Sequence, residues 1–85
     1  MTSDERMLEI QRINERLAAV RGSARSSDGS VSIETDAGGR ITDLYIADYA
    51  MDNGPQHLAN LIIDRHRAAL GNAEAAAVQL FEESR

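Results

Sequence analysis

The chain has no cysteine, no tryptophan and no lysine, and only one proline and three aromatic residues among its 85. Without cysteine it can form neither a disulfide framework nor a thiolate metal site, which fits a reducing compartment. No run of about 18 apolar residues occurs, so the sequence holds no candidate membrane-spanning helix. The opening MTSDERMLEI is charged and lacks the basic-then-apolar order of a secretory signal. The expectation is a leaderless cytoplasmic protein with no membrane partner. Tyr45, Tyr49 and Phe81 are too sparse for a base-stacking platform; the two tyrosines are expected to pack against a second copy of the chain.

Charge of one sign is also scarce. Nine arginines face fourteen acids, for a net charge of -5, which argues against a general nucleic-acid binder. The imbalance is local, however. Residues 1–25 carry Arg6, Arg12, Arg16, Arg21 and Arg25 against four acids, a net of +1, and residues 26–85 carry a net of -6. An all-arginine basic set suits phosphate or carboxylate recognition through the planar guanidinium; GC-rich coding is the simpler explanation.

Eighty-five residues make one domain, 1–85, too short to bury more than roughly 60–65 % of its unfolded surface. Thr2 or Ser3 can cap a first helix, with Thr2 and Glu5 at capping-box spacing. Ile10, Ile13, Leu17 and Val20 follow at 3-4-3 spacing, one narrow stripe near a heptad seam. Arg21 and Gly22 read as the helix end, so the first helix is expected over 3–21. On it, Glu9, Arg12 and Glu15 stand three apart and are expected to neutralise one another locally.

Asp28-Gly29 and Asp36-Ala37-Gly38-Gly39 are turn signals. Val31 and Ile33 alternate with Ser32 and Glu34, and Leu44 and Ile46 share a face. Ile41 has the opposite parity, which predicts a bulge. With a short strand near 23–26 this gives a three-stranded antiparallel meander, one face of which needs cover. Pro55 suits the first turn of a last helix running to about 83, interrupted or kinked at Gly71-Asn72 if anywhere. The fold class is α+β, an α-β-β-β-α unit. A sheet this small has little in its own chain to pack against, and a second copy is the expected cover.

No pattern here is catalytic. His57 and His66 are nine apart with no acid or cysteine at ligand spacing, so no metal site is expected. The serines fall in turns and strand edges without a base in any nucleophile motif. Asp36 to Gly39 is no phosphate loop, because no lysine follows and no helix starts there. The reading is a non-enzyme with no cofactor and no small-molecule substrate. The first-helix arginines have two readings, phosphate contacts or a solvated salt-bridging face. Arg65 and Arg67 lie two apart and do not share a helix face, which favours solvated surface.

The whole chain resembles the YbaB/EbfC family of small nucleoid-associated proteins. The residues that carry the resemblance are Ala18-Ala19-Val20-Arg21-Gly22 at the end of the first helix, Asp28-Gly29 before Val31, and Gly39-Arg40-Ile41-Thr42-Asp43-Leu44 with Ile46 and Asp48 behind it. The long alanine-rich final helix adds to it. These motifs are structural, so they specify fold more than activity. The resemblance implies an intertwined bacterial homodimer with projecting final helices, its sheet shared through Val31, Ile33, Leu44, Tyr45 and Ile46. It also implies DNA binding of low sequence preference, with Arg6, Arg12, Arg16, Arg21, Arg25 and Arg40 as candidate contacts. Some members of the family are encoded beside type VII secretion genes, which implies an alternative: a protein-interaction dimer that does not bind DNA.

Overall fold

The computed structural model describes residues 3–83. The order is α1 (Ser3–Ala18), β1 (Arg21–Arg25), β2 (Val31–Asp36), β3 (Ile41–Ile46), a 3-10 turn (Asp48–Met51) and α2 (Pro55–Glu83). The strands form an antiparallel meander in the order β1-β2-β3, the α+β architecture expected. Thr2, the expected cap, lies outside the described residues.

Helix α1 stops three residues before its expected end. Ala19 N–H bonds to both Glu15 and Arg16 carbonyls, and Val20 N–H bonds to Leu17 O at 3.1 Å, tightening the last turn. Arg21 does serve the helix end, since its guanidinium donates to Ala18 O and Val20 O at 2.8 Å. It does so from the first rung of β1, where it pairs with Asp36. Gly22 is no helix stop. It faces Thr35 across the ladder, and a Cβ placed on it would collide with backbone atoms of Ala69 and Ala73. Helix α2 crosses β1 there with backbone nearly touching backbone, which only glycine below and alanine above permit.

The same crossing sets the core. Val31, Ile33 and Ala69 are fully buried, with Ala24, Leu58, Leu61 and Ile62 around them. Helix α2 packs on β1 and β2. It runs unbroken through Gly71, where a side chain would meet open space. At about 1.5 Å per residue it is about 43 Å long, whereas the molecule extends 60 Å. The remaining length is α1, whose end lies beside the last turns of α2 and which buries none of its residues.

The bulge lies where parity predicted it. Glu34 pairs with Asp43, but Thr35 pairs with Ile41. Thr42 is the extra residue, its hydroxyl donating to Glu34 Oε1 at 2.8 Å, and Ile41 thereby returns to the face of Leu44 and Ile46. In the first turn Asp28 Oδ1 accepts from Ser26 Oγ, Ser30 N and Ser30 Oγ at 2.7–2.9 Å. Gly29 takes φ 76°. Tyr49 O–H closes the turn onto the 3-10 segment by donating to Asp28 O at 2.7 Å.

Three outcomes follow. Gly22→Ala must push α2 off β1, and a loss of about 2 kcal/mol or more is expected in urea unfolding; wild-type stability would mean that the crossing is looser than described. The Ser30 hydroxyl and amide, then the Ser26 hydroxyl, lower the Asp28 pKa from 3.8 to about 2. Its folded-state value is depressed, so its stabilisation is present above pH 4 and is lost as pH falls from about 4 toward 2. Asp28→Asn is expected to flatten that part of the acid limb of the urea midpoint; an unchanged limb would remove Asp28 from the account. Thr35 is fully buried, and its hydroxyl is the buried side-chain polar atom without a hydrogen-bond partner among the described residues. Thr35→Val is therefore expected to hold or raise stability, by up to about 1 kcal/mol, and a clear drop in the urea midpoint would contradict this.

Candidate nucleic-acid interface

The six candidate arginines are all exposed but do not form one patch. Arg12 and Arg16 stand one turn apart on α1. Arg21 and Arg40 flank Asp36 at the adjoining end of the sheet, on opposite sides of β2 and so about 10 Å apart, because Asp36 pairs with Arg21 and the Asp36 N–H bonds to Arg40 O at 3.0 Å. That end receives the chain directly from α1, so Arg12, Arg16, Arg21 and Arg40 belong to one region. Arg25 lies four residues along β1, about 13 Å away, beside the Asp28 turn. Arg6 is ten residues before Arg16, about 15 Å along the helix.

The expected ion pairing of Arg12 with Glu9 and Glu15 does not form among the described residues. Among the described residues two ion pairs form, Arg65–Asp64 at 2.6 Å and Arg21–Glu34 at 3.9 Å, and neither involves Arg12. Arg65 is occupied structurally, reaching Arg25 O at 3.4 Å. Asn72 Nδ2 donates to Ser23 O at 2.8 Å beside it. Arg67 is exposed on the other side of α2, so the two do not share a face. His66 Nε2 lies 2.8 Å from Gly39 O, holding the β2–β3 turn to the helix. No three His, Cys, Asp or Glu side chains among the described residues are placed to hold a metal.

The apolar candidates divide. Val31 and Ile33 have no exposed surface; they lie under the chain's own α2 and have nothing left to offer a partner, because the helix supplies the cover expected from a second copy. Leu44, Tyr45 and Ile46 stay 45 %, 54 % and 41 % exposed. The ladder puts Ile46 opposite Val31 and Leu44 opposite Ile33, so both face the α2 side of the sheet yet lie beyond the helix. Tyr45 faces the other way with Ser32. Tyr49 is bound within the chain to Asp28. Exposed Ile41, Met7, Leu8, Ile10, Val78 and Phe81 extend the apolar surface beyond the candidates.

The arrangement offers exposed guanidinium groups, which suits electrostatic contact with an anion. The model of the YbaB/EbfC DNA-binding family matches residues 4–84, nearly all of the chain. The chain belongs to that family. No curated protein matches it significantly. Membership agrees with the helix, meander and long final helix described above, and the family is one of DNA-binding proteins, not of enzymes. Among the described residues no helix is long and apolar enough to cross a membrane.

Proposed function

We propose that the protein is a nucleoid-associated DNA binder of low sequence specificity that acts as a homodimer in the cytoplasm. The observation that carries this reading is the group Arg12, Arg16, Arg21 and Arg40 on one region of a YbaB/EbfC chain, three of them outside any ion pair among the described residues. Arg6 and Arg25 extend it at either end. Guanidinium contacts to phosphate fix position without reading bases. The acidic remainder of the molecule limits binding to this region and keeps it weak at physiological salt.

The dimer is supported by area. The chain exposes 6121 Å², whereas a compact monomer of 9.3 kDa exposes about 5,000 Å². The excess, about 1,100 Å², exceeds the roughly 800 Å² that one partner contributes to a standard interface. It lies on α1, the end of α2, and the β3 residues Leu44, Tyr45 and Ile46. A second reading, a dimer that holds another protein and no DNA, is favoured by the net charge of -5 and by the apolar character of that surface.

Fluorescence anisotropy with a random-sequence duplex separates the two. Four phosphate contacts predict an affinity loss of about a hundredfold between about 50 and 200 mM salt. The double substitution Arg12→Glu, Arg16→Glu is expected to abolish binding while helical circular dichroism is retained. No binding at either salt would overturn the DNA reading and leave the protein-partner reading.

A further inference from the structure

Four asparagines occur in the chain, Asn14, Asn53, Asn60 and Asn72, and the fold treats them differently. Asn14, Asn60 and Asn72 stand within helices, where the amide that follows each is held in the hydrogen-bonded ladder. Two of the three are also tied by their side chains. Asn60 Oδ1 accepts from Gln56 Nε2 at 3.1 Å, and Asn72 Nδ2 donates to Ser23 O at 2.8 Å. Asn53 differs on every count. It lies in the turn between the 3-10 segment and α2, exposed, with no side-chain hydrogen bond among the described residues. Gly54 follows it, with no Cβ to hinder its nitrogen. Gly54 takes φ 89°, and open space lies where a side chain would stand. One hydrogen bond holds the turn, from Gly54 N–H to Met51 O at 2.8 Å. Met51, Asp52 and Asn53 are all exposed, so the turn opens without unpacking a buried residue.

We infer that Asn53 is a modification site of the folded protein, where the side-chain amide is lost spontaneously by attack of the following backbone nitrogen. A base from solvent, hydroxide or a buffer anion, takes the proton from Gly54 N–H. The nitrogen forms a bond to Asn53 Cγ, the bond from Cγ to Nδ2 breaks, and Nδ2 leaves as ammonia after taking up a proton. The product is a succinimide ring. One water molecule then opens the ring. Attack at the side-chain carbonyl gives aspartate; attack at the main-chain carbonyl gives isoaspartate, whose backbone is longer by one carbon. The sequence Asp28-Gly29 offers the same neighbour but not the same reaction. Asp28 Oδ1 is held by three hydrogen bonds at 2.7–2.9 Å, and an ionised carboxylate has no leaving group comparable to ammonia. Either product at Asn53 places a new carboxylate beside the start of α2. The first turn of that helix carries no acid, and its dipole favours negative charge there. The site lies at the end of the sheet that Tyr49 joins to Asp28, away from Arg21 and Arg40.

The test is peptide mapping by liquid chromatography and mass spectrometry, with fragmentation to place each mass change. The full chain is incubated in mildly alkaline buffer, both folded and unfolded in guanidinium chloride. In the folded protein Asn53 is expected to convert into two separable acid forms, aspartate and isoaspartate, while Asn60 and Asn72 stay intact. Its folded rate is expected to lie within roughly tenfold of its unfolded rate, because only a local opening stands in the way. Asn53→Gln closes its larger ring far more slowly and is expected to show no acid product at this position over the same time. Slowing of Asn53 by more than that factor on folding, or conversion of Asn60 or Asn72 at a comparable rate in the folded protein, would overturn the assignment. An acid product of unchanged amount in the Asn53→Gln map would also overturn it, by placing the reaction at another residue.

Discussion

The close crossing of α2 over β1, with Gly22 beneath Ala69 and Ala73, is the contact on which the rest of the structure depends. It fixes the helix over β1 and β2, which buries Val31 and Ile33 within the chain. It also fixes what the helix fails to reach. Strand β3 lies to one side with Ile41, Leu44 and Ile46 uncovered. The turns of α2 beyond Ala73 pass the edge of the sheet, beside the end of α1 and the Ala19-Val20 link. One backbone contact thus divides the molecule into a closed half that covers its own apolar residues and an open half whose apolar residues stay exposed.

The division bears on function. The closed half holds most of the hydrogen-bonded detail: the Asp28 turn with its tyrosine clasp, the Thr42 bulge, and the Arg65 and Asn72 side chains on β1 carbonyls. The open half holds the apolar surface, and α1 within it carries Arg6, Arg12 and Arg16. In a chain with a net charge of -5, phosphate binding depends on gathering a few cations, and a dimer doubles whatever one copy gathers.

Much of the fold was legible in local chemistry. Asp28-Gly29 and Asp36 to Gly39 marked both turns, the parity of Ile41 marked the bulge, and Pro55 marked the start of α2. What failed to show was non-local. Arg21-Gly22 has the form of a helix end, and nothing local distinguishes it from a strand residue that a distant helix must touch. The cover over Val31 and Ile33 was assigned to a second copy because so small a sheet has little in its own chain to pack against; the smallness of Gly22, Ala69 and Ala73 is what lets α2 come close enough to cover it. The arginine set was legible as a list, but not as a region. The separation of Arg25 from Arg21 along β1, and the absence of an ion pair at Arg12, depend on tertiary placement.

If the open half is completed by a second copy, the backbone of α1 is stable only in the assembly. Hydrogen exchange of α1 amides, followed by mass spectrometry from about 1 to 100 µM protein, reads this directly. The account predicts that protection of α1 rises with concentration while protection of β2 stays constant. Protection of α1 that is the same at every concentration, in a monomer, would contradict it.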